Sequence, residues 1–298
     1  MSAAGTTTTI SNRLYHYARL VRADKPIGAA LLLWPMLWAL WIVSDGRPDW
    51  KVLLVFVVGT FLMRSAGCAM NDFADRGIDG SVERSRNRPI VSGAVSPKEA
   101  VMVALTLALV SFLLVLTMNS LTVGLSFIAV GLAFLYPFTK RFTYWPQLFL
   151  GLAFGWAVPM VSAAQTGEVK MVAWLIYFVA IAWALAYDTI YAMVDRPDDI
   201  KLGVKSTAIL FGQRDVTIVM ALQCGVLVLM ASIALSYGAG WLFIAGLLLS
   251  IAVLYRQYRL IVTREPADCF KAFLLNNHMG ALLFLGLFLD YIVRNTVS

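Results

Sequence analysis

The sequence predicts an all-α membrane protein with about nine transmembrane helices. Three observations carry this reading. Of the 298 residues, 60% are hydrophobic and only 14% are charged, where a soluble domain carries about a quarter charged residues. Apolar runs of about 20 residues, the length that crosses a bilayer, recur along the whole chain. The runs are continuous rather than alternating, so they read as helices and not as barrel strands.

Residues 1–12 are polar and nearly featureless, without the charged start, short apolar core and cleavage site of a signal peptide. A basic stretch with Arg13, Arg19, Arg22 and Lys25 completes an N-terminal segment, residues 1–25, expected on the cytoplasmic side. Residues 26–293 read as a single transmembrane domain. Its spans fall near 26–44, 51–70, 97–117, 120–137, 146–164, 171–193, 216–236, 238–255 and 270–293. Only Met118-Asn119-Ser120 divides the third from the fourth, and only Ser236-Tyr237-Gly238-Ala239-Gly240 the seventh from the eighth.

Nine spans place alternate loops on opposite sides of the membrane. One side collects all of the 24 basic residues except Arg47, Lys51, Lys170 and Arg294. By the positive-inside rule that side is the cytoplasm, which also puts the N-terminus inside and the C-terminus outside. A bacterial inner membrane suits this pattern. The net charge of +7 is then a property of the inside loops, and no nucleic-acid partner is expected. The three cysteines, Cys68, Cys224 and Cys269, have no paired spacing, which argues against a disulfide framework or a zinc site. His16 and His278 are isolated, so a histidine-centred site is not expected.

Chemistry concentrates in two acidic clusters, each directly after a long apolar run. The first reads Asn71-Asp72-Phe73-Ala74-Asp75-Arg76-Gly77-Ile78-Asp79. Asn71, Asp75 and Asp79 are spaced i, i+4, i+8, which on a helix puts three oxygen-bearing side chains on one face. Such a set suits a hard divalent cation such as Mg²⁺. Gly77 and Gly80 weaken the helix here, so Asp79 can also fall in the loop. The second cluster is Asp188, Tyr191, Asp195, Asp198 and Asp199. Its first three members share a face at i, i+3, i+7. Pro197 predicts a helix break at Arg196, with Asp198 and Asp199 opening a new short element. Asp188 has apolar neighbours on both sides, a mark of function inside a membrane.

Asp75 and Asp195 lie 120 residues apart, each at the cytoplasmic end of an even-numbered span and each followed by a polar, basic loop. This suggests two four-helix pseudo-repeats plus a ninth helix, with the clusters facing each other across a central cavity. The plain alternative is two solvated loops whose acids balance nearby arginines. Three ligating groups at helical spacing on a membrane edge favour a site instead. Two acidic clusters ringed by Lys and Arg describe a metal-bridged polyanion, since Mg²⁺ binds through a few carboxylates plus substrate phosphates. Arg22, Lys140 and Lys205 are candidates for the remaining phosphate oxygens, and Arg141, just after an apolar span and a proline turn, for either the phosphates or an acceptor carboxylate. Asn71, Asp188 and Tyr191 are further substrate-binding candidates. Glu83-Arg84-Ser85-Arg86-Asn87-Arg88-Pro89 is a polar loop suited to gathering an anionic headgroup. Because the site opens into a helical bundle, the polyanion is expected to carry a lipid tail. A prenyl diphosphate fits, its departure leaving an allylic cation that aromatic faces stabilise.

Several ordered stretches resemble the UbiA-type intramembrane prenyltransferases. They are Asn71-x-x-x-Asp75-x-x-x-Asp79, Tyr187-Asp188-Thr189-Ile190-Tyr191-Ala192 and Asp195-x-x-x-Asp199. Asp24-Lys25-Pro26-Ile27-Gly28, Asn87-Arg88-Pro89, Tyr136-Pro137-Phe138-Thr139-Lys140-Arg141, Gly151-Leu152-Ala153-Phe154-Gly155-Trp156 and Lys205-Ser206-Thr207-Ala208 narrow the likeness. They point to the 4-hydroxybenzoate polyprenyltransferase branch, of ubiquinone synthesis. The resemblance covers roughly residues 15–290. It implies nine helices around a central lipid-open cavity. It also implies Mg²⁺-dependent transfer of a polyprenyl group from polyprenyl diphosphate to the ring carbon beside the phenol hydroxyl, with release of diphosphate. By match to the motifs, Asp75, Asp79, Asp195 and Asp199 would hold Mg²⁺–diphosphate with Asn71 assisting. Asp75, Asp195 and Arg141 are the catalytic candidates, Arg141 as an anion-binding residue. Pro197 departs from the acidic or polar residue expected at its place.

Rival readings are a prenyltransferase for another aromatic acceptor, such as homogentisate or a dihydroxynaphthoate, a CDP-alcohol phosphatidyltransferase, and a cation transporter. The phosphatidyltransferase should show Asp-Gly-x-x-Ala-Arg ahead of its later aspartates, and the sequence has none. The transporter should place its charges near mid-membrane, whereas these gather at one edge.

Overall fold

The computed structural model describes residues 3–77, 79–81 and 85–297. Glu83 and Arg84, part of the loop expected to gather a headgroup, lie outside the described residues. Among the described residues every regular element is helical. The helices are α1 (Ala3–Leu20), α2 (Ile27–Val43), α3 (Trp50–Asp75), α4 (Pro97–Val115), α5 (Ser120–Thr139), α6 (Pro146–Gly155), α7 (Ala157–Thr166), α8 (Met171–Leu202), α9 (Thr207–Phe211), α10 (Asp215–Ser236), α11 (Trp241–Ile261) and α12 (Pro266–Val297). Among the described residues eight helices or joined helices are long and apolar enough to cross a bilayer, α6 with α7 and α9 with α10 each counting as one. The ninth expected span is α2, whose 17 apolar residues cover about 25 Å.

The two narrow divisions expected in the chain are real turns, each fixed by a side-chain hydrogen bond to the backbone. Asn119 accepts the Thr122 amide hydrogen bond at 2.9 Å and starts α5. Gly240, ahead of α11, donates its amide to the buried Asp290 carboxylate at 2.7 Å. The N-terminal segment carries the helix α1, which ends at Leu20. One face of α1 is anchored, because Arg13 and Tyr17, four residues apart, both reach Glu99 at the start of α4.

Pro197 does not break its helix. α8 runs unbroken from Met171 through Pro197 to Leu202, so Asp188, Asp195 and Asp199 share one helix. Proline removes one backbone hydrogen bond and disfavours the helical conformation at Arg196. The helix nevertheless continues and ends at Gly203, whose φ of +67° allows the Val204 amide to fold back to the Asp199 carbonyl at 3.0 Å.

The bundle has a dense side and a hollow side. On the dense side α11 and α12 cross at Gly246 and Gly286, where a methyl group at Gly246 would sit 2.6 Å from the Leu282 carbonyl oxygen. Small residues let membrane helices approach to backbone contact. Trp38 of α2 and Trp183 of α8 pack at 5.2 Å between centroids, and the Trp38 indole donates to the Gly280 carbonyl of α12. On the hollow side α3, α4, α5 and α6 stand around open space.

Candidate active site

That space is a cavity of about 950 Å³. Its lining on α3 runs from Val55 to Asp72, seventeen residue steps and so about 26 Å of helix. One end is apolar, with Val55, Phe56, Phe112, Val115, Val130 and Met160. The other end is charged, with Arg19, Arg22, Asp72, Arg88, Asp195 and Asp198. Both acidic clusters therefore border one cavity, the first from α3 through Asn71 and Asp72 and the second from α8; among the described residues Asp75 and Asp79 lie behind that lining and are not part of it.

The first cluster is built by a helix end. α3 stops at Asp75, and Asp79 follows in a short 3-10 turn, Asp79–Ser81. Asn71 and Asp75 keep their helical spacing, and the Asn71 amide donates to Asp75 Oδ2 at 3.0 Å. Asp75 also pairs with Lys140. Asp79 pairs with Arg88 at 2.6 Å. Burial raises the Asp79 carboxyl above the ordinary aspartate range, and the Arg88 guanidinium opposes the rise. Asp72, the fourth cation-binding group of the Asn71–Asp79 stretch, is 1% exposed and held by Arg22 at 2.8 Å and Arg88 at 3.2 Å. Arg22 sits at φ +57°, a conformation that costs a non-glycine residue about 1 kcal/mol or more. Its guanidinium bonds to the Arg19 carbonyl and to Asp72, which hold it over the charged end of the cavity.

The second cluster is carried by α8. Asp188, Tyr191, Asp195, Pro197 and Asp198 line the cavity, and Asp199 lies half-buried one turn beyond Asp195. Arg22 and Asn71 also line it, but among the described residues Lys140, Arg141 and Lys205 do not. Those three brace the outside of the site. Lys140 holds Asp75, exposed Arg141 donates to the Ala74 carbonyl at 2.5 Å, and Lys205 donates to the Phe142 carbonyl at 3.3 Å.

One cavity residue was read in the sequence only as part of the charge count. Arg64 lies on α3 two turns before Asn71, about 10 Å along the axis. Its guanidinium lies 5.6 Å from the centroid of the Phe154 ring, and its Nε is buried without a hydrogen-bond partner. Gly28 makes room for it, since a methyl group there would meet Arg64 Nε and Nη2 at 2.6 Å. Among the described residues it forms no ion pair with a carboxylate. Its spacing to Asn71 and Asp75, i+7 and i+11, is the signal that places it on their face.

The donor set fits a hard divalent cation. Asp72 Oδ2 and Asp75 Oδ1 are buried without hydrogen-bond partners, which leaves carboxylate oxygens for a cation. Among the described residues no three such groups form a ready-made cage. Mg²⁺ does not need one, because it binds through one or two carboxylates, waters and substrate phosphates.

The sequence matches the UbiA prenyltransferase family over residues 32–285. The chain belongs to that family. Among UbiA relatives it is 53% identical over 281 residues to a 4-hydroxybenzoate octaprenyltransferase of Alkalilimnicola ehrlichii, covering 94% of this chain and 96% of that one. Its fold is that of a UbiA homologue from Aeropyrum pernix, with a TM-score of 0.77 at 23% identity over 88% of this chain and 97% of that one. A UbiA homologue from Archaeoglobus fulgidus bound to GPP and Mg²⁺ has the same fold, with a TM-score of 0.72 at 20% identity over 93% and 99%. This chain is thus a multi-pass membrane prenyltransferase.

Proposed function

We propose that this UbiA enzyme transfers a polyprenyl group from polyprenyl diphosphate to 4-hydroxybenzoate. The bond forms at the ring carbon ortho to the hydroxyl, and diphosphate leaves. The reading places the enzyme in ubiquinone biosynthesis, and a relative named 4-hydroxybenzoate octaprenyltransferase supports the acceptor and the prenyl donor. The observation that carries it is one cavity joining an Asp- and Arg-lined end to an apolar shaft, with Arg64 between them. Mg²⁺, which accompanies GPP in the Archaeoglobus fulgidus homologue, supplies charge neutralisation of the leaving diphosphate.

In this reading Asp75, Asp79, Asp195 and Asp199 hold Mg²⁺–diphosphate, with Asn71 assisting and Asp72 contributing its unpartnered oxygen. Arg22 and Arg88 present N–H donors to the phosphate oxygens from the charged end. The prenyl tail lies along the apolar shaft. As the allylic C–O bond breaks, carbocation character develops beside Tyr136, Phe154, Tyr187 and Tyr191, all of which line the cavity. The acceptor carboxylate goes to Arg64 rather than to Arg141. A cation inside a membrane without a carboxylate partner is costly, and a bound carboxylate in a planar fork removes that cost. The phenol hydroxyl then points toward Asp188 and the diphosphate end. Its electron density makes the ortho carbon the nucleophile, and transfer of the ring proton to the departing diphosphate or a site carboxylate restores aromaticity.

The sidedness of the basic loops supports a bacterial inner-membrane location with the site facing the cytoplasm. The test is the product mass after incubation with a prenyl diphosphate and a panel of aromatic acids. Prenylated 4-hydroxybenzoate is expected. A product only from homogentisate or a dihydroxynaphthoate overturns the acceptor.

A further inference from the structure

The turn of α8 that carries Asp195, Asp198 and Asp199 is the least self-sufficient part of that helix. Pro197 sits inside it, withholds one backbone hydrogen bond and disfavours helix at Arg196. Only five helical residues follow before Gly203 ends the helix. The sequence alone predicts a break, yet the turn is helical. Something outside α8 holds it.

The holding contact is visible on the side away from the cavity. Arg196 reaches Asp215, the first residue of α10. Asp215 has no exposed surface and accepts from three further donors. Arg264, in the turn between α11 and α12, donates through Nε at 3.1 Å and Nη2 at 2.9 Å. The Val216 amide donates at 2.6 Å. Arg264 also donates to the Gln213 carbonyl at 2.9 Å and takes a φ of +57°, a strained backbone that its contacts maintain. Among the described residues none of Arg196, Asp215 and Arg264 lines the cavity. One buried carboxylate therefore ties the Pro197 turn to α10 and to the α11–α12 turn.

We infer that Asp215 is a positioning residue, which acts through Arg196 to keep the Pro197 turn helical and so holds Asp195 and Asp198 on the cavity wall, with Asp199 one turn beyond Asp195. Removing one partner of a buried ion pair is strongly destabilising locally, because it leaves a charge uncompensated. The weakest neighbouring element, the Pro197 turn, then opens first. The inference rests on the proposed metal role of Asp195 and Asp199 for its effect on catalysis, but not for its effect on the helix.

The test uses the full-length protein with Asp215→Asn, Arg196→Gln and each change combined with Pro197→Ala. Arg196→Gln leaves Asp215 with its Arg264 partner, so it stands as the test where Asp215→Asn fails to fold. Amide hydrogen exchange is read without substrate at residues 198–204, and half-saturating Mg²⁺ and the acceptor KM are read in turnover. Both single variants are expected to speed exchange at 198–204 and to leave the middle of α10 protected. Half-saturating Mg²⁺ should rise about tenfold, as for other groups that orient metal ligands, with the KM for 4-hydroxybenzoate unchanged. Alanine at 197 restores the missing amide and should reverse both effects. Unchanged exchange at 198–204 in Arg196→Gln overturns the inference. So does loosening spread evenly over α10–α12, or a defect that Pro197→Ala does not relieve. A wild-type enzyme indifferent to Mg²⁺ defeats the proposed metal role, while the exchange data still decide the positioning role.

Discussion

Asp75 ends its helix and is buried against Lys140 and Asn71, whereas Asp195 sits seven residues inside α8, half-buried on the cavity wall. The two aspartates occupy matching places in the sequence, but Asp195 lines the cavity itself while Asp75 lies one helical turn beyond the lining residue Asn71. The first cluster is fixed by its own ion pairs, with Arg22, Arg88 and Lys140 each holding a carboxylate. The second is presented by a helix that its own sequence undermines, and it is fixed from behind through Arg196. A metal-bridged site needs both halves only at the moment the diphosphate arrives. The difference shows that equal motifs need not have equal stability.

The largest expected effects come from breaking either half. Asp75→Asn and Asp195→Asn keep side-chain size and remove a charge. Turnover in either should fall by about a hundredfold or more, with folding preserved as read by helical circular dichroism and thermal melting. Near-normal turnover of folded Asp75→Asn at limiting Mg²⁺ removes the first cluster from the site.

A smaller effect separates the cavity arginine from the bracing arginine. Arg64→Ala should raise the KM for 4-hydroxybenzoate about tenfold to a hundredfold, the range for losing a charged hydrogen-bonded partner, and leave the KM for prenyl diphosphate within about twofold. Arg141→Ala should leave the acceptor KM nearly unchanged, because Arg141 is exposed and bonded to the Ala74 carbonyl. The reverse pattern in these two variants returns the acceptor to Arg141.

The smallest effect tests the packing beneath Arg64. Gly28→Ala places a methyl group where the guanidinium now lies, and a flexible side chain yields by shifting its end. The acceptor KM should rise only a few-fold, below the Arg64→Ala effect. An effect on prenyl diphosphate instead would mean that Gly28 shapes the other subsite.

The spans were legible because apolar run length is dictated by the bilayer, and each expected run has its helix, down to the turns at Asn119 and Gly240. The i, i+4 spacing of Asn71 and Asp75 was equally legible, since it is local geometry. Three features were not. Arg64 looked like one more basic residue near a span end, because nothing local says that the guanidinium turns into a cavity. Asp72 was visible only as one more acid of the first cluster, and its ion pairs with Arg22 and Arg88, fifty and sixteen residues distant in sequence, come from the tertiary fold. Pro197 was read by local rules that are sound for an isolated helix, and a tertiary ion cluster overrides them.

The central claim is that the two clusters form one metal–diphosphate site. Mn²⁺, standing in for Mg²⁺, and a non-hydrolysable prenyl diphosphate analogue test it directly by electron paramagnetic resonance on the purified protein. Mn²⁺ should bind tightly only together with the analogue, and either Asp75→Asn or Asp195→Asn alone should abolish that joint binding. Joint binding in Asp195→Asn as tight as in the wild type would contradict the account, because the metal would then belong to the first cluster alone.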